Sequence, residues 1–248
     1  MSIAPNHSLA TSVAAHRTVG SWAMAEHVSE YEDYVRTETL FSALKPVDEL
    51  VNQDERLFQV THQTAELWMK VIAHEIPFAV EMMEKGELRA AAATFRRCAM
   101  IARLVGDELG ILETMPPAHY QQIRMGLGRG SGSESPGFRF LLTQVATPVA
   151  AALDRVLEDH QVQIFDVWMD PDGRSELHEL ISSIIDYDQS FQEFRYHHLN
   201  LARREIGLDV KSLKGVPAHV LIAGATEPLF PKLWDSINEV TRAFKPEY

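Results

Sequence analysis

Cysteine is almost absent: Cys98 is the single one in 248 residues. An internal disulfide is therefore impossible. A disulfide-stapled secreted scaffold and zinc sites built on paired cysteines are excluded, and a reducing cytoplasm is the expected compartment. Cys98 falls in the alanine-rich stretch 90–102, where a small core residue is the simplest reading. Basic charge is also scarce. Lys and Arg total 23 against 35 Asp and Glu, a formal net charge of -12, so bulk attraction to nucleic acid or an anionic membrane is not expected. No run of 18 apolar residues occurs, and residues 1–25 lack a continuous apolar segment; neither a membrane span nor a secretory leader is expected. Alternating apolar and polar residues never persist long enough for a strand, and no internal repeat is visible. His-Glu-x-x-His and Glu-x-x-His are both missing, as is a Gly-Lys-Ser/Thr phosphate loop.

What is present is helical periodicity over a 46% hydrophobic composition. Leu57, Phe58, Thr61, Ala65, Trp68, Met69 and Ile72 recur at spacings of three and four, predicting a helix over 54–84. Asp54 is the expected N-cap or first-turn acid, and Pro77 is expected to kink or interrupt this helix. Further helices are predicted over 87–109, ending at Gly110, over 116–124, from about 138 to 160, within 173–206 and from about 228 to 243. Four glycines within 126–132 mark a loop, and 211–217 is another. The expected architecture is all-α: a flexible N-terminal arm over 1–27 and one helical bundle over 28–248, large enough to enclose a cofactor.

Candidate chemical residues lie on these helices. His62 is on the apolar face of the first long helix, one turn after Phe58. His198 is late in the helix before Gly207, beside His197. Taken singly, each histidine reads more simply as a satisfied core or surface residue. His62 and Glu66 share a helix face, but such pairs are common. With bare-metal signatures missing, one axial histidine to a haem is the simplest metal chemistry open to a helical, cysteine-poor chain. Arg124, just before the glycine-rich loop, offers a planar fork that matches a carboxylate, or is a solvated helix-end residue.

The local order of residues resembles the tryptophan 2,3-dioxygenase family. Phe58-Gln-Val-Thr-His62-Gln-Thr-Ala-Glu-Leu-Trp-Met-Lys70 is similar to the family's distal haem-pocket segment, and Tyr31-Glu-Asp-Tyr34-Val35 to its earlier Tyr-x-x-Tyr segment. Leu112-Glu-Thr-Met-Pro116 with Tyr120 and Arg124 resembles its Leu-Glu-Thr-x-x-Pro…Tyr-x-x-x-Arg run, with Ser131 in the loop that follows. Phe194-Arg-Tyr-His-His198, nine residues before Gly207, is similar to the segment bearing the axial haem ligand. The resemblance runs from Tyr31 to about Gly207. After that the family's Gly-Thr-Gly-Gly loop is replaced by Leu208-Asp-Val-Lys-Ser212-Leu-Lys-Gly-Val-Pro217, with Ser212 at the threonine position by count.

The resemblance implies a haem-dependent oxygenase acting with O2 on the indole ring of tryptophan or a derivative. His198 would bind the iron of a b-type haem. That haem is expected to be non-covalent, because Ala202 stands where one relative has a haem-attaching cysteine. His62 would hydrogen-bond the indole N–H or a reacting oxygen. Phe58, Tyr120, Arg124, Ser131 and Ser212 would line the substrate site, with Ser131 also at the haem edge. Tyr31, Tyr34 and Val35 would reach a neighbouring subunit's pocket in a homo-oligomer, a tetramer or dimer. Two alternatives stay open: a haem-dependent monooxygenase of a tryptophan- or tyrosine-type amino acid in natural-product biosynthesis, and a non-catalytic haem or amino-acid sensor.

Overall fold

A computed structural model describes residues 29–128, 130, 132–207 and 224–245. Among the described residues there are ten α-helices and no strand. The chain divides into two compact units, residues 1–45 and 46–248.

The described part of the first unit is two short helices, α1 (Glu30–Val35) and α2 (Thr37–Ser42). Ser29 starts α1 with a capping box: its hydroxyl accepts from the Glu32 N–H at 3.2 Å, and its own N–H donates to the Glu32 carboxylate at 2.8 Å. Arg36 joins the two helices in the left-handed region at φ 59°. Tyr31, Tyr34 and Val35 are all exposed.

The second unit is a helical bundle built on three long helices, α3 (Glu55–Glu84), α4 (Leu88–Leu112) and α9 (Ser175–Ile206). α4 lies between the other two. Its inward face, Ala91, Phe95, Cys98, Ala102 and Gly106, keeps helical spacing and is mostly small, which lets α9 come close. A Cβ on Gly106 would stand 3.6 Å from the Phe194 Cα, ordinary contact with backbone. Phe95, Tyr187 and Phe191 fill the seam between α4 and α9. Cys98 is a core residue here, its thiol pushed up to about 12 chiefly by burial; such a thiol is inert at neutral pH.

Shorter helices complete the bundle: α5 (Pro117–Gly126), α6 (Pro136–Gln144), α7 (Ala146–His160), α8 (Ile164–Met169) and α10 (Pro231–Ala243). Three expectations need correction. Pro77 does not interrupt α3, which is one helix from Glu55 to Glu84. α4 continues past Gly110 to Leu112. The helix expected over 138–160 is two helices parted at Val145, because Pro148 has no N–H to offer the Gln144 carbonyl. The segment 136–160 is apolar enough and long enough, by composition, to cross a membrane. Here it packs inward through Leu141, Val145, Val149, Ala152, Leu153, Val156 and Leu157, all in the bundle's core.

The C-terminal helix docks on α9 through two buried charges. The Asp188 carboxylate accepts from the Leu229 N–H at 2.9 Å, the Phe230 N–H at 3.1 Å and the Trp234 indole N–H at 2.9 Å. Two turns further on, the Arg195 guanidinium donates to the carbonyls of Gly224 and Glu227 and lies 4.9 Å over the Phe191 ring. Hydrogen bonds to charged groups contribute about 1.5–3 kcal/mol each, and leaving buried donors unpaired adds to their loss. Asp188→Ala should therefore lower the unfolding free energy by about 3 kcal/mol or more, read from urea melts. A variant within about 0.5 kcal/mol of wild type would show that the docking is not held by this carboxylate.

Candidate active site

The site begins at the start of α3. Asn52, rather than Asp54, caps this helix: its side-chain oxygen accepts from the Asp54 and Glu55 N–H groups at 3.0 and 3.2 Å. Asp54 stands at the cap but turns its carboxylate to His119 Nδ1 at 2.7 Å. The Asn52 amide also donates to the His119 carbonyl at 3.0 Å and to the Gln122 side chain at 2.9 Å. These bonds tie α5 to the first turn of α3. At its other side α5 is tied to α9, since Gln121 Nε2 donates to the Glu205 carbonyl at 3.0 Å. The helix carrying Tyr120 and Arg124 is thus fixed to α3 and to α9.

Phe58 and His62 stand one turn apart on α3, their rings 4.1 Å apart, and Phe58 is 6.1 Å from the Tyr120 ring. His62 Nδ1 is held by the Phe58 carbonyl at 2.7 Å, which leaves Nε2 pointing away from its own helix. The ring is exposed to solvent yet crowded by neighbouring protein. That crowding lowers its pKa, with the Phe58 carbonyl and the Glu66 charge opposing. Tyr120 and Arg124 share a face of α5, and both are half-buried. Burial raises the Tyr120 pKa, the Arg124 charge lowers it and the Glu205 charge raises it. The Arg124 guanidinium lies 3.4 Å from the Gln121 side-chain oxygen.

His198 faces this group from α9. Burial pulls its pKa down to about 4, and the His62 charge adds to the shift, so the two rings lie within one electrostatic environment. Gly132 lies against His198: a Cβ on it would sit 3.6 Å from His198 Nε2. His197 points elsewhere, its Nδ1 3.2 Å from the Gly106 carbonyl on α4; neighbours on a helix diverge by about 100°. The far end of the glycine-rich stretch is pinned to α3. Glu66 accepts from the Ser135 hydroxyl and from the Gly137 N–H at 3.0 Å, and a Cβ on Gly137 would come within 2.7 Å of the Met69 Cβ.

Five of the expected site residues, Phe58, His62, Tyr120, Arg124 and His198, are therefore brought together from α3, α5 and α9. Ser131 and Ser212 lie outside the described residues. Tyr31, Tyr34 and Val35 belong to the first unit. Asn52 and Gln121, whose side chains position these elements, carry no sequence signal, and Glu66 is legible only as a helix-face neighbour of His62, because tertiary hydrogen bonds leave no periodic pattern.

The donor set fits a haem. Among the described residues no three His, Cys, Asp or Glu side chains gather to hold a bare metal ion. His198 instead offers a single neutral imidazole in a sheltered position, with glycine backbone above it and Ala202 one turn on. An apolar groove of about 270 Å³ lies elsewhere, lined by Leu153, Ile164, Phe230 and Leu233 among others. It has no comparable convergence of polar groups.

The tryptophan 2,3-dioxygenase family profile matches residues 18–154, more than half of the chain. The chain is similar to a tryptophan 2,3-dioxygenase of Myxococcus xanthus (strain DK1622), at 26% identity over 85% of this chain and 89% of the relative. It is 28% identical to that of Anaeromyxobacter sp. (strain K) over 82% of this chain and 93% of the relative. A counterpart from Xanthomonas oryzae pv. oryzae (strain PXO99A) is 30% identical over 64% of this chain, and that match spans 50% of the relative.

Asn52→Ala removes the α3 cap and the tie to α5 together. The unfolding free energy should fall by about 1–2 kcal/mol, measured by denaturant titration. An unchanged midpoint would mean that α5 is positioned by other contacts.

Proposed function

This chain belongs to the tryptophan 2,3-dioxygenase family, and we propose that it is a haem-dependent oxygenase that inserts oxygen from O2 into the indole ring of tryptophan or a close derivative. The observation that carries this reading is the grouping of Phe58, His62, Tyr120 and Arg124, with His62 acting on the sheltered His198. A protein that merely stored haem would need the axial ligand alone.

In this reading His198 holds a b-type haem through its neutral ring nitrogen. Ala202 in place of an attaching cysteine keeps the haem non-covalent. The haem supplies O2 activation, and the protein supplies position and dryness. Arg124 pairs its fork with the substrate carboxylate, with Tyr120 beside it. Phe58 packs against the indole. His62, with Nδ1 fixed by the Phe58 carbonyl, directs Nε2 at the indole N–H or a reacting oxygen. Its lowered pKa keeps the ring neutral, so Nε2 is an acceptor whenever Nδ1 carries the proton. The family resemblance assigns Ser131 and Ser212 to the substrate edge. Addition of both oxygen atoms across C2–C3 opens the five-membered ring to an N-formylkynurenine-type product.

A second reading rests on the segment 208–217, which has no Gly-Thr-Gly-Gly. Insertion of one oxygen atom would leave the ring closed and consume an external two-electron reductant. Oligomerisation is supported by exposed apolar side chains at helical spacing on α4 (Met100, Leu104 and Ile111) and by the exposed Tyr31 and Tyr34 of the first unit; we assign the latter pair to a neighbouring copy's pocket. The free, buried Cys98 suits a reducing cytoplasm.

Haem-loaded protein incubated with tryptophan, reductant and 18O2 should yield a product heavier by two labelled atoms. One atom favours the monooxygenase, and none overturns the oxygenase reading. His198→Ala should lose the Soret band while His197→Ala keeps it; the opposite pattern would reassign the ligand.

The carboxylate clamp is tested with tryptamine, which keeps the indole and amine but has no carboxylate. Wild type should bind tryptophan at least about ten-fold more tightly, a factor worth about 1.4 kcal/mol. Arg124→Ala and Arg124→Lys should both shrink that preference, since Lys loses the fork. Equal affinities throughout would leave Arg124 a solvated helix-end residue.

A further inference from the structure

The last turn of α9 contains a carboxylate without a partner. Glu205 is only 4% exposed, and among the described residues neither of its carboxylate oxygens accepts a hydrogen bond. Buried carboxylates are ordinarily paired or bonded on several sides, because an isolated one has given up its hydration for nothing. The other buried acid of this helix, Asp188, shows the usual solution with three donors. Glu205 has the reverse. Burial raises its pKa, the nearby Glu113 charge raises it further, and only the charge of the solvent-exposed Arg204 opposes them.

Its position says what is missing. Glu205 follows His198 by seven residues, so it lies on the same face of α9, about two turns and roughly 10 Å along the axis. Helix α5 crosses at this level, with Gln121 bonded to the Glu205 carbonyl. The Glu205 charge reaches Tyr120, whose hydroxyl also feels Arg124. A carboxylate and a guanidinium thus both act on one tyrosine. An α-amino acid carries its two opposite charges on adjacent atoms of one carbon skeleton, and this pair of groups matches them.

We propose that Glu205 receives the ammonium of the amino-acid substrate, making the site selective for the zwitterion. This rests on the reading of Arg124 and Tyr120 as the carboxylate clamp. The ammonium supplies the charge-assisted donors that Glu205 lacks, and the loss of hydration suffered on folding is offset only when substrate is bound. Affinity and selectivity then come from the same group: a neutral or anionic analogue leaves the carboxylate unpaired and is disfavoured.

Glu205→Gln keeps the shape and removes the charge. Haem-loaded wild type and variant are titrated anaerobically with L-tryptophan, tryptamine and indole-3-propionate, and the Soret perturbation is read. The variant should bind tryptophan and tryptamine about ten-fold or more weakly, and indole-3-propionate, which has no ammonium, no more weakly than wild type. The haem-free variant should unfold at the same urea concentration as wild type or higher. Equal weakening for all three probes, no weakening for any, or a marked loss of haem-free stability would each overturn the ammonium contact and leave the oxygenase reading standing. Failure of wild type to bind any of the three would overturn the functional reading itself.

Discussion

The rotational setting of α9 about its own axis governs the rest of the structure. One side of this helix is fitted to the small-residue face of α4, where Gly106 admits the Phe194 backbone and its carbonyl meets His197. A second direction is held by Asp188 and Arg195, which bind backbone groups of the C-terminal segment. With two directions fixed, the third follows: His198 and Glu205 must face α3 and α5. A rotation of about 100° would exchange His198 for a neighbour. The buried charges of the docking network resist that rotation, since each would lose its hydrogen bonds without regaining water.

The remaining elements are held to this frame by side chains that never touch the reacting centre. Asn52 and Gln121 fasten α5 to α3 and α9, and Glu66 fastens the end of the glycine-rich stretch to α3. Polar groups, in other words, position the site, while apolar packing of α3, α4 and α9 supplies the rigidity. Such a division suits oxygen chemistry on a non-polar ring, where the centre must be dry and the orienting charges belong at the rim.

Much of this was legible in the residues. The apolar period of 54–84 placed α3 to within a residue, and the pairs Phe58–His62 and Tyr120–Arg124 announced shared faces because helix geometry is fixed. The break at Val145 was not foreseen, because the proline that causes it lies three residues later and could equally have sat in a continuous helix, as Pro77 does. Asp54 was the expected cap by type, yet Asn52 does the capping; the choice depends on His119, 65 residues away in the chain. Glu205 was least visible of all. Flanked by Arg203, Arg204 and Ile206, it reads as one more solvated charge at a helix end, and only three-dimensional burial distinguishes it.

The docking of Asp188 has a consequence for how the protein is made. Its first partner, Leu229, lies 41 residues downstream. At about 5–20 residues per second, synthesis takes roughly 2–8 s to deliver that partner after Asp188 itself has been added. Through that interval the carboxylate has only water for company, although Tyr187 and Phe191 can already pack on α4. The second hold on the rotation that aims His198 is therefore added late, when the C-terminal segment arrives. Until then His198 is aimed by the α4 packing alone.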